Sequence, residues 1–361
     1  MTDIIEIAKA AMMQDEKEKQ TPMYAPTMGL GFHQFEGTEK IADVLHQIGA
    51  DFTVRKDSLV RLPENVISDI INGNPVTIDP KYLIKSHMAT VCCENDKTIN
   101  IVGADYGVIQ NTAGFEIMDL VTNSSVSGTP MQVVSAGLVH DFEPYVQVRM
   151  GEDARIEGDN SNTEFYAFFH NSHDGGSAMR ITFSAIRVIC RNTFMANMSA
   201  KGLTYKHTKY VQTRVNLKDK EVIKSIQVKC QKLNLMKEKY IERMTAYRLA
   251  KVTDKDIDKY IANLFFDKET LELAERYGYN LNAPELELST RMGNMVTAFK
   301  DTLESGIGQD TNRGTKLWLF NGTTNYLNNT KTYATAEKRF DSLMEGTAYR
   351  RMEKATELLA V

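Results

Sequence analysis

The stretch "HNSHDGGSAMRITFSAIRVICRNTFMANM", from His170 to Met198, decides the fold class of this chain. Its second half is rich in β-branched and aromatic residues, which is typical of strands. The "HDGGS" segment predicts a tight turn, because an Asp side chain can cap a turn and glycine accepts positive φ. We therefore predict a hairpin, and we expect its arginines to face a ligand.

The β pattern extends outward from this hairpin over residues 81–215. Short apolar runs such as "PMQVVSAGLVHDF", "YVQVRMGEDARI" and "FYAFFHNSH" are separated by Gly, Asn, Asp or Pro. One amphipathic helix, "NTAGFEIMDLVTNSS", interrupts these strands and begins at an Asn-Thr cap. The segment "IADVLHQIG", which precedes the β region, has the spacing of a short helix that ends at Gly49.

The pattern becomes helical after Val215. The 35 residues 217–251 contain neither Gly nor Pro, and their apolar positions recur at three and four, which predicts one long helix or a helical hairpin. Thr253 is a predicted N-cap, and "TKTYATAEKRFDSLMEGTAYRRMEKATELL" is predicted to be helical. The segment around the single Trp318 is expected to be buried between helices.

These patterns together predict an α+β fold. We expect a curved, mainly antiparallel sheet core, followed by a basic and then a mixed helical C-terminal region. The predicted divisions are an N-terminal arm over residues 1–30, an α+β sheet domain over 31–215 and a helical region over 216–361.

Composition limits the class of protein and its location. The 361 residues are 42% hydrophobic and 25% charged, which is ordinary for a globular protein. Four cysteines, two of them the neighbours Cys92 and Cys93, are too few to cross-link a fold of this size. The chain begins without the pattern of a secretory signal, and no run of residues has the length of a membrane span. We predict the cytoplasm of a host cell as the location and no association with a membrane.

Charge is unevenly distributed along the chain. The formal net charge is −4, but the segment Lys201–Lys251 has 14 Lys or Arg against four acidic residues. An excess of one sign suits a phosphate backbone, because each neutralised phosphate releases a bound counterion. Most of these lysines have no acidic residue four positions away, which disfavours a purely solvated helix face.

We therefore predict one basic nucleic-acid-binding surface where the last strands meet the first long helix. Even spacing places Arg187 and Arg191 on one strand face, and aromatic residues between cations suit the stacking of bases. The predicted binding residues are Arg180, Arg187, Arg191, Lys206, His207, Lys209 and Arg214.

Two kinds of catalytic chemistry are the alternatives. His170, His173, Cys190 and His207 are ligand types that zinc accepts, but their spacing matches no known zinc motif. Strand alternation turns Cys190 inward with Ile186 and Val188, so a structural thiol is predicted rather than a nucleophile. We predict no metal and no cofactor.

Three segments carry a resemblance to a known family: "YGVIQNTAGFEIMDLV", the His170–Phe194 stretch and "YKHTKYVQTRV". With the C-terminal "TNYLNNTKTYATAEKRFDSLMEGTAYRRMEKATELL", they resemble a protein family that bacteriophages and plasmids carry and that is called domain of unknown function 932. The ordered combination of Tyr-x-Val-x-Gln-Asn, His-Asp-Gly, Arg-Val-x-Cys-x-Asn-Thr and His-Thr is more specific than any one motif. The resemblance implies a phage or plasmid origin and a shared fold, but no established chemistry.

The expected function is non-catalytic binding of nucleic acid. The charge distribution and the implied origin favour single-stranded DNA binding or annealing in replication or recombination, by a protein that forms homo-oligomers. One alternative is a metal-dependent enzyme that acts on nucleic acid or nucleotides through His173, Asp174 and His207. Another is a structural or host-defence-blocking protein that binds an acidic partner.

Overall fold

The structure is a computed structural model that describes residues 32–35, 40–122, 131–187, 192–196, 204–208 and 220–360. Two antiparallel sheets lie in the first part of the chain and a set of helices follows them. The predicted α+β class with an antiparallel sheet is therefore confirmed.

The large sheet combines one strand from before the helix Asn111–Thr122 with strands that follow that helix in the chain. Within the described residues, its strand order is β1-β5-β6-β8-β9-β10, with β7 beside β8 and β11 beside β9. The strands are β1 (Phe32–Gln34), β5 (Met131–Val139), β6 (Glu143–Met150), β7 (Ala154–Arg155), β8 (Asn162–His170), β9 (Met179–Arg187), β10 (Asn192–Ala196) and β11 (Thr204–Tyr205).

A smaller antiparallel sheet contains the three strands β2-β3-β4 in that order. Two helices and a 3-10 turn accompany it before the chain enters the helix that interrupts the β region. The elements are α1 (Ile41–Gln47), β2 (Val54–Val60), α2 (Glu64–Ile71), the turn Pro80–Tyr82, β3 (Leu83–Cys92), β4 (Thr98–Gly103) and α3 (Asn111–Thr122).

The predicted hairpin is present, but the chain makes a second reversal within the quoted stretch. β8 and β9 pair antiparallel across the "HDGGS" turn, with His170 opposite Arg180. β10 then returns along the other edge of β9, with Asn192 opposite Arg187. Both faces of β9 are covered: Phe183 lies in the main core, while Ile186 packs with Tyr166 on the opposite face.

The helical region begins with one continuous helix of 30 residues rather than a helical hairpin. Trp318 is buried, as predicted, but it lies within a helix instead of between helices, and the C-terminal helical segment divides at Glu345 and Gly346. The helices are α4 (Lys220–Leu249), α5 (Asp254–Phe265), α6 (Lys268–Arg276), α7 (Thr290–Ser305), α8 (Lys316–Asn325), α9 (Ala336–Met344) and α10 (Thr347–Leu358), with a 3-10 turn at Asp310–Asn312 and a π-helical turn at Tyr326–Thr330.

One hydrophobic cluster joins the large sheet to the helices. Tyr240 of α4 contacts the ring of Phe165 edge-to-face at 5.9 Å, and Phe165 stacks on Phe183 at the same distance. Aromatic burial of this kind holds α4 against β8 and β9.

The predicted domain boundaries stay a prediction, and the arm over 1–30 lies outside the described residues. Among the helices that are described, none combines the length and the apolar character required to cross a membrane.

Candidate functional site

The turn between β8 and β9 is fixed by its own aspartate. Oδ1 of Asp174 accepts hydrogen bonds from the backbone N–H groups of Gly176 (2.7 Å) and Ser177 (3.3 Å), as the sequence predicts for a capped turn. Gly175 supplies the positive φ of 79°. The turn also packs on the small sheet, because Asn100 donates to the carbonyl oxygen of Asp174 at 2.8 Å.

A buried chain of side-chain hydrogen bonds lies behind this turn. The backbone N–H of Ile109 donates to Nδ1 of His207 (3.3 Å), so Nε2 of His207 carries the proton and donates to Oδ1 of Asn171 (3.1 Å). Asn171 donates to Oδ1 of Asn111 (2.9 Å), which also accepts from Nε2 of His173 (3.0 Å). These polar residues therefore stabilise the junction of β8, α3 and the segment around His207.

The network is made of the motifs that carry the family resemblance. Tyr106 stacks on His207 with ring centroids 4.9 Å apart, and Gln110 exchanges two hydrogen bonds with the backbone of Val54. Asn111 donates to the carbonyl oxygen of Ala50 at 3.0 Å. Sequence reasoning did not predict that these separate motifs meet. The available sequence signal was that all of these motifs occur together in one family resemblance. In the structure, their side chains connect the two sheets through hydrogen bonds.

Burial keeps both histidines of the network neutral. Removal from water and, to a smaller extent, the neighbouring His207 lower the pKa of His173 to about 3, although the charge of Asp174 opposes the shift. Burial likewise lowers the pKa of His207 to about 4, although the backbone hydrogen bond with Gly107 opposes the shift. For Asp174, burial raises the pKa, but hydrogen bonds from Ser172, Gly176 and Ser177 outweigh it and lower the pKa overall. Asp174 is therefore ionised, while the two histidines beside it are uncharged.

Arg187, a predicted nucleic-acid contact, lies inside the protein. Its side chain is 4% exposed, and its Nε donates to Oδ2 of Asp159 at 2.7 Å. Its second guanidinium nitrogen donates to Asp159 and to Oδ1 of Asn160. Asn312 also donates to Asp159 at 3.3 Å, so a residue before α8 completes the arrangement. The guanidinium of Arg187 faces an internal carboxylate rather than solvent.

The other predicted residues that are described lie near the opposite end of β9. Arg180 is mostly buried and forms an ion pair with Glu345 at 2.9 Å. β11 runs beside it, with Thr204 opposite Arg180, so the exposed Lys206 follows close by. The structure thus brings Arg180, Lys206 and His207 to one end of β9 and places Arg187 at the other end. Arg191, Lys209 and Arg214 lie outside the described residues.

The residues of the alternative metal site have different hydrogen-bond partners. Nε2 of His170 contacts Glu143 at 3.1 Å, whereas His173 is bound to Asn111. Cys190 lies outside the described residues. Among the residues that are described, no three His, Cys, Asp or Glu side chains converge to form a metal site.

The exposed face of α4 carries cations that the prediction of binding residues did not include. Cys230, Leu233, Tyr240, Met244 and Tyr247 face the core. The opposite face exposes Lys224, Lys232, Lys239 and Arg243. At 3.6 residues per turn these four side chains fall within an arc of about 100° and span about 28 Å along the helix. The signal was present in the sequence, since all four belong to the basic segment, but choosing them requires the buried face to be known.

The family model with the description "Domain of unknown function (DUF932)" matches residues 98–351. That range includes β4, the large sheet from β5 onward, α4 and all but the last turns of α10. No curated protein and no solved structure gives a significant match to the chain.

Proposed function

The chain belongs to the family called domain of unknown function 932, which supplies no chemistry to transfer, and we propose from its own residues that it binds nucleic acid without catalysing a reaction. Single-stranded DNA is the preferred ligand in this proposal. The preference rests on the phage or plasmid origin that the resemblance implies, and replication or recombination in the host cytoplasm is the corresponding process.

The exposed cations of α4 carry the proposal. Among the described residues, no ion pair joins Lys224, Lys232, Lys239 or Arg243 to a carboxylate. An exposed cation that is not paired internally is available to neutralise a phosphate and to release its counterion. A band of cations about 28 Å long can contact several consecutive phosphates of an extended strand. Lys206, exposed after β11, adds a further cation to the charge of this region.

The test is the salt dependence of DNA binding by wild type and a fourfold variant. Lys224, Lys232, Lys239 and Arg243 are replaced by alanine, and fluorescence anisotropy measures binding to single-stranded and duplex oligonucleotides from about 50 mM salt upward. If all four contact phosphates, the logarithmic salt slope on single strands decreases by about 2.8, which is about 0.7 for each lost contact. The loss of affinity is expected to be similar for every base sequence.

The matched control removes four exposed lysines elsewhere: Lys97, Lys255, Lys268 and Lys354. This control changes the net charge equally, so it separates a local surface from a general effect of charge. The proposal is contradicted if wild type has no affinity for DNA or RNA near 50 mM salt. It is also contradicted if the control variant loses as much affinity as the α4 variant.

A specific observation favours an acidic protein partner as the second candidate. Val228 and Leu235 lie among the cations of α4 and are 45% and 46% exposed. Apolar side chains on a charged face are typical of a protein interface and contribute little to phosphate contacts. Replacing Val228 and Leu235 with serine should leave the DNA affinity unchanged if nucleic acid is the ligand. The proposal also includes the expected formation of homo-oligomers, and light scattering of the same variants measures this self-association.

A further inference from the structure

A cavity of about 520 Å³ opens between the β8–β9 turn and the connection from α9 to α10, away from the exposed face of α4. It is bordered by strand ends of both sheets and by α9. Its walls contain four carboxylates, two histidines and two phenylalanines: Glu143, Asp174, Asp341, Glu345, His140, His170, Phe142 and Phe340.

The carboxylates are fixed in place from different sides. Glu143 accepts from His170 (3.1 Å) and from the hydroxyl of Ser172 (3.2 Å). Asp341 contacts Nε2 of His140 at 3.1 Å. Glu345 contacts Arg180 at 2.9 Å and accepts a hydrogen bond from Ser177, which also borders the cavity. Among the described residues around the cavity, four carboxylates face one guanidinium, that of Arg180, so negative charge is in excess.

His140 reports this excess of negative charge. Partial burial lowers its pKa, but the hydrogen bond to Asp341 and the charges of Glu143, Asp341 and Glu337 outweigh the effect of burial, so the pKa of His140 is raised. A cation placed in the cavity would experience the same field.

His170 provides an independent indication that a ligand belongs in the cavity. The residue borders the cavity, is only 2% exposed and uses Nε2 for its contact with Glu143. Its Nδ1 has no hydrogen-bond partner in the described part of the chain. A buried polar nitrogen without a partner costs free energy, which a polar group of a ligand at the cavity wall would recover.

The chemistry of the walls selects the class of ligand. The carboxylates accept hydrogen bonds, so a complementary ligand is a cationic donor. No three of these groups converge on one point within the described residues, which disfavours a single metal ion. Phe142 and Phe340 provide apolar surface for methylene groups or for cation–π contact. We propose that this cavity binds an extended organic cation with two amine or guanidine groups, each carried on an aliphatic segment.

Two sources can supply this chemistry: a free diamine, or adjacent lysine side chains of a peptide. Isothermal titration calorimetry measures the affinity for 1,5-diaminopentane and for the capped dipeptide Lys-Lys. The probe that binds more tightly indicates which of the two sources the cavity prefers. Butylamine and glutarate are the matched probes with one positive charge and with two negative charges. We expect both dications to bind more tightly than butylamine, and we expect no binding of glutarate.

The variant that tests the site is Asp341→Asn with Glu345→Gln, because both side chains are partly exposed and the replacements keep their shape. We expect binding of the dications to weaken by about tenfold, as two partly screened charge contacts of about 0.7 kcal/mol each are lost. Glu285→Gln with Glu287→Gln, exposed residues outside the cavity, is the control with the same change of charge. Its affinity should equal that of wild type.

The salt dependence of dication binding to wild type is a second measurement that needs no variant. Weakening with added salt supports the proposal, because the contacts are ionic. The proposal is overturned if wild type binds neither dication at about 10 mM, a concentration at which even a weak site with a Kd of about 1 mM would be occupied. Unchanged affinity of the cavity variant also overturns it. The proposal does not depend on DNA binding, since the α4 variant leaves the cavity intact.

Discussion

The buried polar interior beside the large sheet and the exposed face of α4 use cations in opposite ways. Arg187 is enclosed with Asp159, whereas Lys232 and Lys239 extend into solvent without an ion pair in the described residues. Arg187 is one of the predicted binding residues, and the two lysines belong to the basic segment Lys201–Lys251. The comparison teaches that a basic residue type predicts a phosphate contact only when the residue has no carboxylate partner inside the fold.

Loss of the Arg187 side chain should have the largest effect on stability. Arg187→Met leaves Asp159 buried without its cation, and we expect the free energy of unfolding to fall by about 3–5 kcal/mol. Urea denaturation measures this value. The double variant Arg187→Met, Asp159→Asn removes both charges and should lose less than the single variant. An equal or larger loss in the double variant would contradict an internal ion pair.

The buried histidines predict a decrease of stability in mild acid. Their folded pKa values of about 3 for His173 and about 4 for His207 lie below the ordinary value of 6.5. As pH falls below about 6.5, the unfolded chain binds protons that the folded chain does not bind. The free energy of unfolding should therefore fall by about 1.4 kcal/mol per pH unit for each histidine, until the folded pKa is reached.

The variant His173→Gln tests this assignment, because glutamine keeps a donor for Asn111 but does not titrate. Between pH 6 and pH 5, the free energy of unfolding of this variant should fall less steeply than that of wild type. The difference between the two slopes should be about 1.4 kcal/mol per pH unit. His46→Gln changes an exposed histidine outside the network and should keep the wild-type slope. A wild-type slope in the His173 variant would show that His173 is not held neutral.

Arg180 is intermediate in the comparison, because its carboxylate partner is partly exposed. The side chain of Arg180 is 12% exposed, while that of Glu345 is 37% exposed. Solvent screening reduces the value of such a pair, so Arg180→Gln should lower the free energy of unfolding by about 1 kcal/mol or less. Thermal or urea unfolding of Arg180→Gln and Arg187→Met under the same conditions compares the two losses in free energy of unfolding. A loss as large as that of Arg187→Met would place Arg180 with the buried group.

The exposed cations of α4 should have the smallest effect on stability. Lys232→Ala with Lys239→Ala is expected to change the free energy of unfolding by no more than about 0.5 kcal/mol, since neither side chain forms an ion pair with another described residue. The same variant should weaken DNA binding and reduce its salt slope by about 1.4. Destabilisation beyond 1 kcal/mol, with DNA binding unaffected, would indicate a structural role for this face.

Local sequence patterns predicted the elements wherever neighbouring residues determine them. The absence of Gly and Pro over residues 217–251 predicted helix, and α4 extends from Lys220 to Leu249. Thr253 caps α5 through a capping box with Asp256, and Asp174 caps the β8–β9 turn. Each of these interactions joins residues a few positions apart. For that reason, a pattern in the sequence is sufficient to reveal them.

The candidate sites depended on contacts between distant parts of the chain. Strand alternation places Arg187 on one face of β9, but only the tertiary structure shows that this face is covered and that Asp159 lies there. In the same way, His207 meets Asn171 across 36 residues and His173 meets Asn111 across 62.

The sequence by itself determined the α+β class, the capped turn and the excess of positive charge in the segment Lys201–Lys251. The tertiary structure decided which of those charges reach solvent. The physical reason is that burial depends on the packing of several elements, whereas helix, strand and turn formation depend mainly on residues within a few positions.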